Sequence, residues 1–248
     1  MSEGQTQPEP QGLLSEREKT QIRDRFGVVL LLLIATVFFS IAAPNAPWAW
    51  LATAVILAAN VRITMLASGV SPKVVWAWTA FAVFHVGVSI FIASTQGRVA
   101  GGYLALTTLL LTLVTMGAIA RRLWRRAEIS VITVLGAVCI YVLLGLSFAF
   151  AFQAVGELGA QPFFASQEGG TRSDYMYFSF ITIATVGYGD LTPQGGLGRA
   201  LAVTEGLLGQ IYLVTAVAAL VGNLGRTPTS GQQKKEGASE EDEWSDGR

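Results

Sequence analysis

The sequence predicts an all-α membrane protein, built from six transmembrane helices plus one short re-entrant helix and its loop. Three observations point there. Of the 248 residues, 52% are hydrophobic and only 14% are charged, against about 25% charged in an ordinary soluble domain. The mean hydropathy is +0.49. Six mostly apolar runs recur along the chain, at 26–43, 48–68, 74–94, 101–120, 131–153 and 197–225, each near the ~20 residues that a spanning helix needs. So much apolar surface has to face something other than water, and a bilayer is the solvent that accepts it.

The same composition excludes other classes. The 17 basic and 17 acidic residues cancel, so there is no bulk positive field to draw in nucleic acid, and no nucleic-acid partner is expected. The high hydrophobicity excludes disorder over most of the chain. Cys139 is the single cysteine, which excludes an intramolecular disulfide. Inside an apolar run it is expected to pack as a small apolar side chain. No metal-ligand cluster, nucleophile–base pair or phosphate-binding loop stands out, so neither enzymatic activity nor a cofactor is expected.

Taken in order, residues 1–25 read as a cytoplasmic N-terminal tail, of which 1–12, with Pro8, Pro10 and several Gln, carry the signature of a solvated, disordered segment. The stretch 28–43 is also compatible with the apolar region of a signal peptide. The preceding segment is long and mixed in charge, with Glu3, Glu9, Glu16 and Glu18, which argues against one. Residues 26–120 form a four-helix membrane domain. Trp48 and Trp50 open its second run and Trp76 and Trp78 its third, where amphipathic rings favour the headgroup level; core tryptophans are the alternative. His85, the only histidine, lies mid-span. It reads as a buried polar contact within the bundle, with proton sensing as the other option. Residues 121–130 form an interfacial linker. Its Arg121, Arg122, Arg125 and Arg126 share one helical face around Trp124, either to touch anionic lipid or only to fix orientation.

Orientation follows from the basic residues near the span ends. Four lie at 17–25, Arg62 and Lys73 follow the second run, four lie at 121–126, and Arg226, Lys234, Lys235 and Arg248 follow the sixth. A cytoplasmic N-terminus puts these fourteen inside, leaving only Arg98, Arg172 and Arg199 outside. The expected protein is a multi-pass protein of the cell membrane with both termini in the cytoplasm. The tail 226–248, with its acidic run from Glu240 to Glu243, reads as disordered.

Residues 131–225 carry the chemistry. An apolar span, a polar outer segment, the short apolar stretch 175–184 and another span follow one another. Between the stretch and the last span lies Thr182-Ile183-Ala184-Thr185-Val186-Gly187-Tyr188-Gly189-Asp190. Non-spanning backbone at membrane depth is tolerated only where it is buried in protein or lines a cavity. A cation entering a membrane must exchange its water shell for other oxygens, and a run of backbone carbonyls aimed at one axis replaces that shell. Consecutive carbonyls aim the same way only if φ alternates in sign. Glycine visits positive φ at little cost, and Gly187 and Gly189 stand where this geometry requires them. Ser173 and Asp174 are expected to cap the short helix.

The nine residues 182–190 match T-x-x-T-V-G-Y-G-D, and the chain resembles six-span members of the bacterial potassium-channel family, with a re-entrant pore helix and filter loop in a tetrameric pore. The resemblance covers about 131–225 and does not extend to the first four spans. It implies a passive, potassium-selective channel in which K+ is the permeant ion. The K+ sites would be the carbonyls of Thr185, Val186, Gly187 and Tyr188, with Gly189 completing the filter and the Thr185 hydroxyl adding the innermost ring. It implies a homotetramer in the lipid bilayer, since one chain supplies one filter strand. It assigns filter support to Asp190, Thr182, Tyr177, Phe178 and Glu205. Asp190 stands at the outer mouth, with Glu157, Glu168 and Asp174 on the same side. Phe178 has no hydrogen-bond donor, so it would brace by packing, and Ile181 stands where some members carry an acid. Glu205 is expected behind the pore helix, hydrogen-bonded or protonated. Gly209, ten residues beyond Arg199, matches a common gating hinge, with Gly206 as a second candidate; close helix packing is the other reading of both. Run 101–120 contains no Arg or Lys, whereas a voltage sensor needs several within its fourth span, so strong voltage gating is not expected. The alternatives are a non-conducting or weakly selective cation-channel subunit and an ion-coupled potassium transporter, which would normally show inverted repeats.

Overall fold

The computed structural model describes residues 16–43, 47–68, 71–95, 98–125, 131–165 and 170–224. Seven helices run through them: α1 (Glu16–Ala42), α2 (Pro47–Ala67), α3 (Pro72–Thr95), α4 (Arg98–Trp124), α5 (Val131–Leu158), α6 (Arg172–Ile183) and α7 (Gly196–Leu224). The protein is an all-α membrane protein. α3, α4, α5 and α7 each hold a stretch long and apolar enough to cross a bilayer, while α1 and α2 hold the shorter apolar stretches Phe26–Ala42 and Leu51–Leu66. Pro47 and Pro72 open their helices, the position at which a missing N–H and a fixed φ cost nothing.

Several helices outrun their apolar runs. α1 begins at Glu16, ten residues before Phe26, and α5 continues to Leu158. The apolar run marks hydrocarbon depth. The backbone goes on satisfying its own hydrogen bonds beyond it, where charged helix formers such as Glu, Lys, Arg and Gln carry the helix into the interface. For the same reason Arg121 and Arg122 belong to the last turn of α4 rather than to a separate linker. Residues 1–15 and 225–248 of the two tails, residues 126–130 with Arg126, and Glu168 lie outside the described residues.

Packing does not separate the first four helices from α5 and α6. α1 packs on α2, α5 and α6, α2 on α3 and α4, α3 on α4, and α4 runs along α5. One core joins Phe26, Val29 and Leu33 of α1, Ile119 of α4, Cys139, Leu143, Leu146 and Phe150 of α5, and Met176 of α6. Cys139 is buried there as expected, its Sγ 4.0 Å from the Phe26 carbonyl oxygen. Polar side chains bridge the helices, as is usual where lipid supplies no hydrophobic drive. Asn60 donates to the Val29 carbonyl at 3.5 Å and Ser147 to Thr112 at 3.2 Å. His85 meets Thr107 through Nδ1 at 3.0 Å and Thr108 through Nε2 at 3.1 Å, the buried polar contact expected of it. Trp48 and Trp76 are exposed, while Trp78 lies edge-on to Phe81 at 5.6 Å.

The chain divides into two compact units, one ending at Leu213 and one beginning at Val214. In the second, residues 214–224 are helical and expose Val214, Val217 and Val221.

Candidate functional site

α6 starts earlier than the apolar stretch. Its N-cap is Thr171, not Ser173 or Asp174. The sequence Thr171-Arg172-Ser173-Asp174 is a capping box: the Thr171 hydroxyl accepts the Asp174 N–H at 3.3 Å, and the Asp174 carboxylate accepts the Thr171 N–H at 2.8 Å. Ser173 is thereby freed, and its hydroxyl donates to the Ile41 carbonyl at 2.9 Å, tying the start of α6 to the end of α1. Arg172 lies over the Phe150 ring, 5.8 Å from its centroid. Burial lowers its pKa to about 10, with Glu157 acting against the shift, so the guanidinium keeps its charge at neutral pH. It lines a cavity of about 20 Å³ with His85, Thr108 and Gln153, the room of one water molecule.

α6 ends at Ile183, and the chain then turns through Ala184 into the loop 185–190. Its last carbonyls do not end free. The Phe180 carbonyl accepts from Ala184 N and that of Thr182 from Thr185 N; that of Ile181 accepts from both Val186 N and Gly187 N. The Ile183 carbonyl, orphaned by the helix end, accepts the Tyr141 hydroxyl at 3.0 Å. Tyr141 is a site residue that the sequence reading missed.

Along the loop φ is positive at Thr185 (57°), Gly187 (53°) and Gly189 (81°). The alternation expected from the two glycines is present and extends one step earlier, to a threonine. A β-branched residue at positive φ is a rare conformation, and such strain persists only where the surroundings hold it, at about 1–3 kcal/mol. The Thr182, Ile181 and Ile183 contacts just described are what hold it. Residues 184–190 are all exposed in the single chain, Tyr188 by 73%.

Behind the loop, Tyr177 donates to Asp190 Oδ2 at 2.9 Å, joining two of the predicted support residues. Thr182 acts through its backbone, since its hydroxyl donates to Phe178 in its own helix at 2.7 Å. Phe178 is buried among Phe152 (5.0 Å), Phe164 (5.5 Å) and Phe163 (6.2 Å) between ring centroids. It packs against the rings of α5 and of the segment that follows α5. That segment is pinned to the far side of the loop: Ala165 N donates to Thr192 O at 2.9 Å and Gln194 N to Phe163 O at 2.8 Å. Of the outer carboxylates, Asp174 serves the capping box and Glu157 accepts from Gln153 Nε2 at 2.6 Å.

Glu205 is completely buried and meets Ser179 of α6 at 2.5 Å, behind α6 as expected. α7 runs unbroken through Gly206 and Gly209. A Cβ on Gly209 would lie 2.6 Å from Ile183 Cγ1 and 3.2 Å from its carbonyl oxygen, whereas one on Gly206 would meet nothing within 4 Å. Close packing therefore explains Gly209. Gly209→Ala is expected to cost about 1–3 kcal/mol through overpacking. Gly206→Ala is expected to be neutral or slightly stabilising, by up to ~1 kcal/mol. Thermal unfolding of the two purified variants checks the ordering.

Residues 128–225 match a protein family described as "Ion channel". The chain is 34% identical over 94 residues to the inward rectifier potassium channel Kirbac3.1 of Paramagnetospirillum magnetotacticum, covering 37% of this chain and 29% of that protein. It is 37% identical over 59 residues to the potassium voltage-gated channel subfamily KQT member 1 of Squalus acanthias, covering 24% of this chain and 9% of that one. It is 50% identical over 44 residues to protein LctB of Geobacillus stearothermophilus, covering 18% and 31%. The chain thus spans less than a third of the length of each of these relatives.

Proposed function

From the match of residues 128–225 to a family described as "Ion channel", we propose that the protein is a potassium-selective channel that conducts K+ passively. One observation carries the reading. Positive φ recurs at every second residue from Thr185 to Gly189, directly after a helix too short to span. This is the backbone pattern that lets the carbonyls of Thr185, Val186, Gly187 and Tyr188 face one axis and replace the hydration shell of a bare cation. The names of two relatives, both potassium channels, support K+ as that cation.

One chain supplies one strand of such a filter, so the working form is a homotetramer. The exposed apolar residues Leu197, Val203, Leu207, Leu208 and Ile211 of α7 fit burial against neighbouring copies or the lining of a shared pore. Gly209 doubles as the gating hinge in this reading, its contact with Ile183 being the one that bending would release, and Gly206 adds freedom above it. The first four helices lie in a cell membrane with both termini in the cytoplasm. α4 bears basic residues only at its two ends, Arg98, Arg121 and Arg122, so little charge moves through the field and gating is weakly voltage-dependent.

The test is isotope uptake into liposomes holding the purified full chain. Rubidium or potassium uptake blocked by barium is expected, with little change as the membrane potential is varied. Uptake of sodium at the same rate would contradict the proposal.

A further inference from the structure

Three oxygens meet where α5, α6 and α7 touch. Ser179 Oγ lies 2.7 Å from the Gly145 carbonyl oxygen of α5 and 2.5 Å from Glu205 Oε1 of α7. Both are hydrogen-bond distances. A serine hydroxyl carries one hydrogen, and a carbonyl oxygen only accepts. If Ser179 gives its hydrogen to Gly145, the bond to Glu205 needs a second hydrogen, and the one remaining source is the carboxyl group itself. If Glu205 were ionised, one of the two close oxygen pairs would face each other with no hydrogen between them. Two bonds among these three atoms therefore require the carboxylic acid form.

The surroundings agree with the count. Ser179 and Glu205 are both fully buried within their own chain, and Glu205 Oε2 has no hydrogen-bond partner among the described residues. An ionised carboxylate is costly inside a span unless a cation or water meets it. The group of α5 that acts on Glu205 electrostatically is the Tyr141 phenol, neutral and already donating to Ile183 O. α6 offers Ser179. No Lys, Arg or His acts on the carboxyl group among the described residues. Gly145 makes the approach possible, since a Cβ there would lie 3.0 Å from the Phe180 ring of α6.

We propose that Glu205 is held as a neutral acid whose single hydrogen lets Ser179 join α7, α6 and α5 at once behind the filter, and that loss of this hydrogen at alkaline pH breaks this three-way joint, the carboxylate taking the Ser179 hydrogen from Gly145, and closes the pore to K+. The inference rests on the channel reading for its consequence, though not for the protonation itself. Glu205 lies one helical turn before Gly209, where α7 touches the end of α6. Breaking the upper joint loosens the lower contact, and with it the Ile183 carbonyl that borders the filter loop.

Two measurements on the full chain reconstituted in liposomes test it. The infrared spectrum at neutral pH is expected to show a deuterium-sensitive carboxylic acid carbonyl band that is absent in Glu205→Gln and lost from the wild-type chain at strongly alkaline pH. The absence of that difference band would overturn the proposal. If the band is present but the chain passes no K+, the channel reading fails and the protonated acid stands. In flux, taking the bath from neutral to strongly alkaline pH is expected to lower wild-type K+ uptake about tenfold or more, and that of Glu205→Gln less than about twofold, because the glutamine amide keeps a hydrogen for Ser179 and cannot ionise. Tyr141→Phe is expected to keep the alkaline loss. A Glu205→Gln protein that retains the loss, or that inserts and does not conduct, contradicts the joint. So does a Tyr141→Phe protein that no longer loses flux, since the phenol would then be the titrating group.

Discussion

Gly187→Ala and Gly189→Ala are each expected to abolish K+ flux while the chain still inserts and keeps its helix content. The effect does not come from crowding, since a Cβ at either position meets nothing within 4 Å of its own chain. It comes from the backbone. Gly187 sits at φ 53° and Gly189 at 81°, and an L-residue in the left-handed region is penalised by roughly 1–2 kcal/mol. In the proposed homotetramer, summed over four filter strands, that is roughly 4–8 kcal/mol, enough to drive the loop into a conformation whose carbonyls no longer share an axis. Thr185 already carries such a strain at φ 57°, so the loop has little tolerance left. Flux in liposomes together with circular dichroism of the same preparation separates a lost filter from a lost fold.

Phe164→Ala is expected to produce the largest loss of stability, by about 3–5 kcal/mol. The side chain is fully buried, and its ring centre lies 4.9 Å from Phe163, 5.2 Å from Tyr175 and 5.5 Å from Phe178. It also pairs with Pro193 in an antiparallel bridge that joins the segment after α5 to the segment before α7. Its removal opens a cavity beneath both flanks of the loop 185–190, and, on the proposed function, conduction is expected to fail at temperatures that the wild-type protein tolerates. Phe84, 67% exposed on α3, is the comparison: Phe84→Ala is expected to change stability by about 0.5 kcal/mol or less. Thermal unfolding in one detergent, read for both variants side by side, gives the difference.

How much of this was legible beforehand depended on how local the cause was. The glycine positions in the loop are a local demand of φ, and the sequence states it outright. Four of the six expected spans, in α3, α4, α5 and α7, are equally plain, because apolar length answers directly to bilayer thickness, whereas the apolar stretches of α1 and α2 fall short of that length; the helix ends were not plain, because helices continue past the hydrocarbon edge without an apolar mark. The Thr171 cap was readable, since T-x-x-D is a capping signature, but Ser173 and Asp174 stood closer to the apolar stretch. Their true partners show why proximity misled: Ser173 answers to Ile41, 132 residues away. Glu205 was placed behind α6 by the expense of an acid inside a span. Its bond to Ser179 and the third oxygen at Gly145 were beyond the sequence, because three helices have to pack before those atoms meet. Positive φ at Thr185 was hidden for the opposite reason. Residue type argues against it, and it comes with the hydrogen bonds that Thr185 N, Val186 N and Gly187 N make to the last carbonyls of α6. Tyr141 was passed over because a tyrosine in an apolar run gives no sign of which carbonyl it will reach.

The central claim is that the loop from Thr185 to Gly189 strips and binds potassium rather than passing cations at large. A reversal potential measured across a bilayer holding the purified full chain, with potassium salt on one side and an equal concentration of sodium salt on the other, tests it most directly. The account predicts a reversal potential far from zero, of the sign at which potassium efflux from its own side is opposed. A reversal potential at zero, with measurable current on both sides of it, would contradict it.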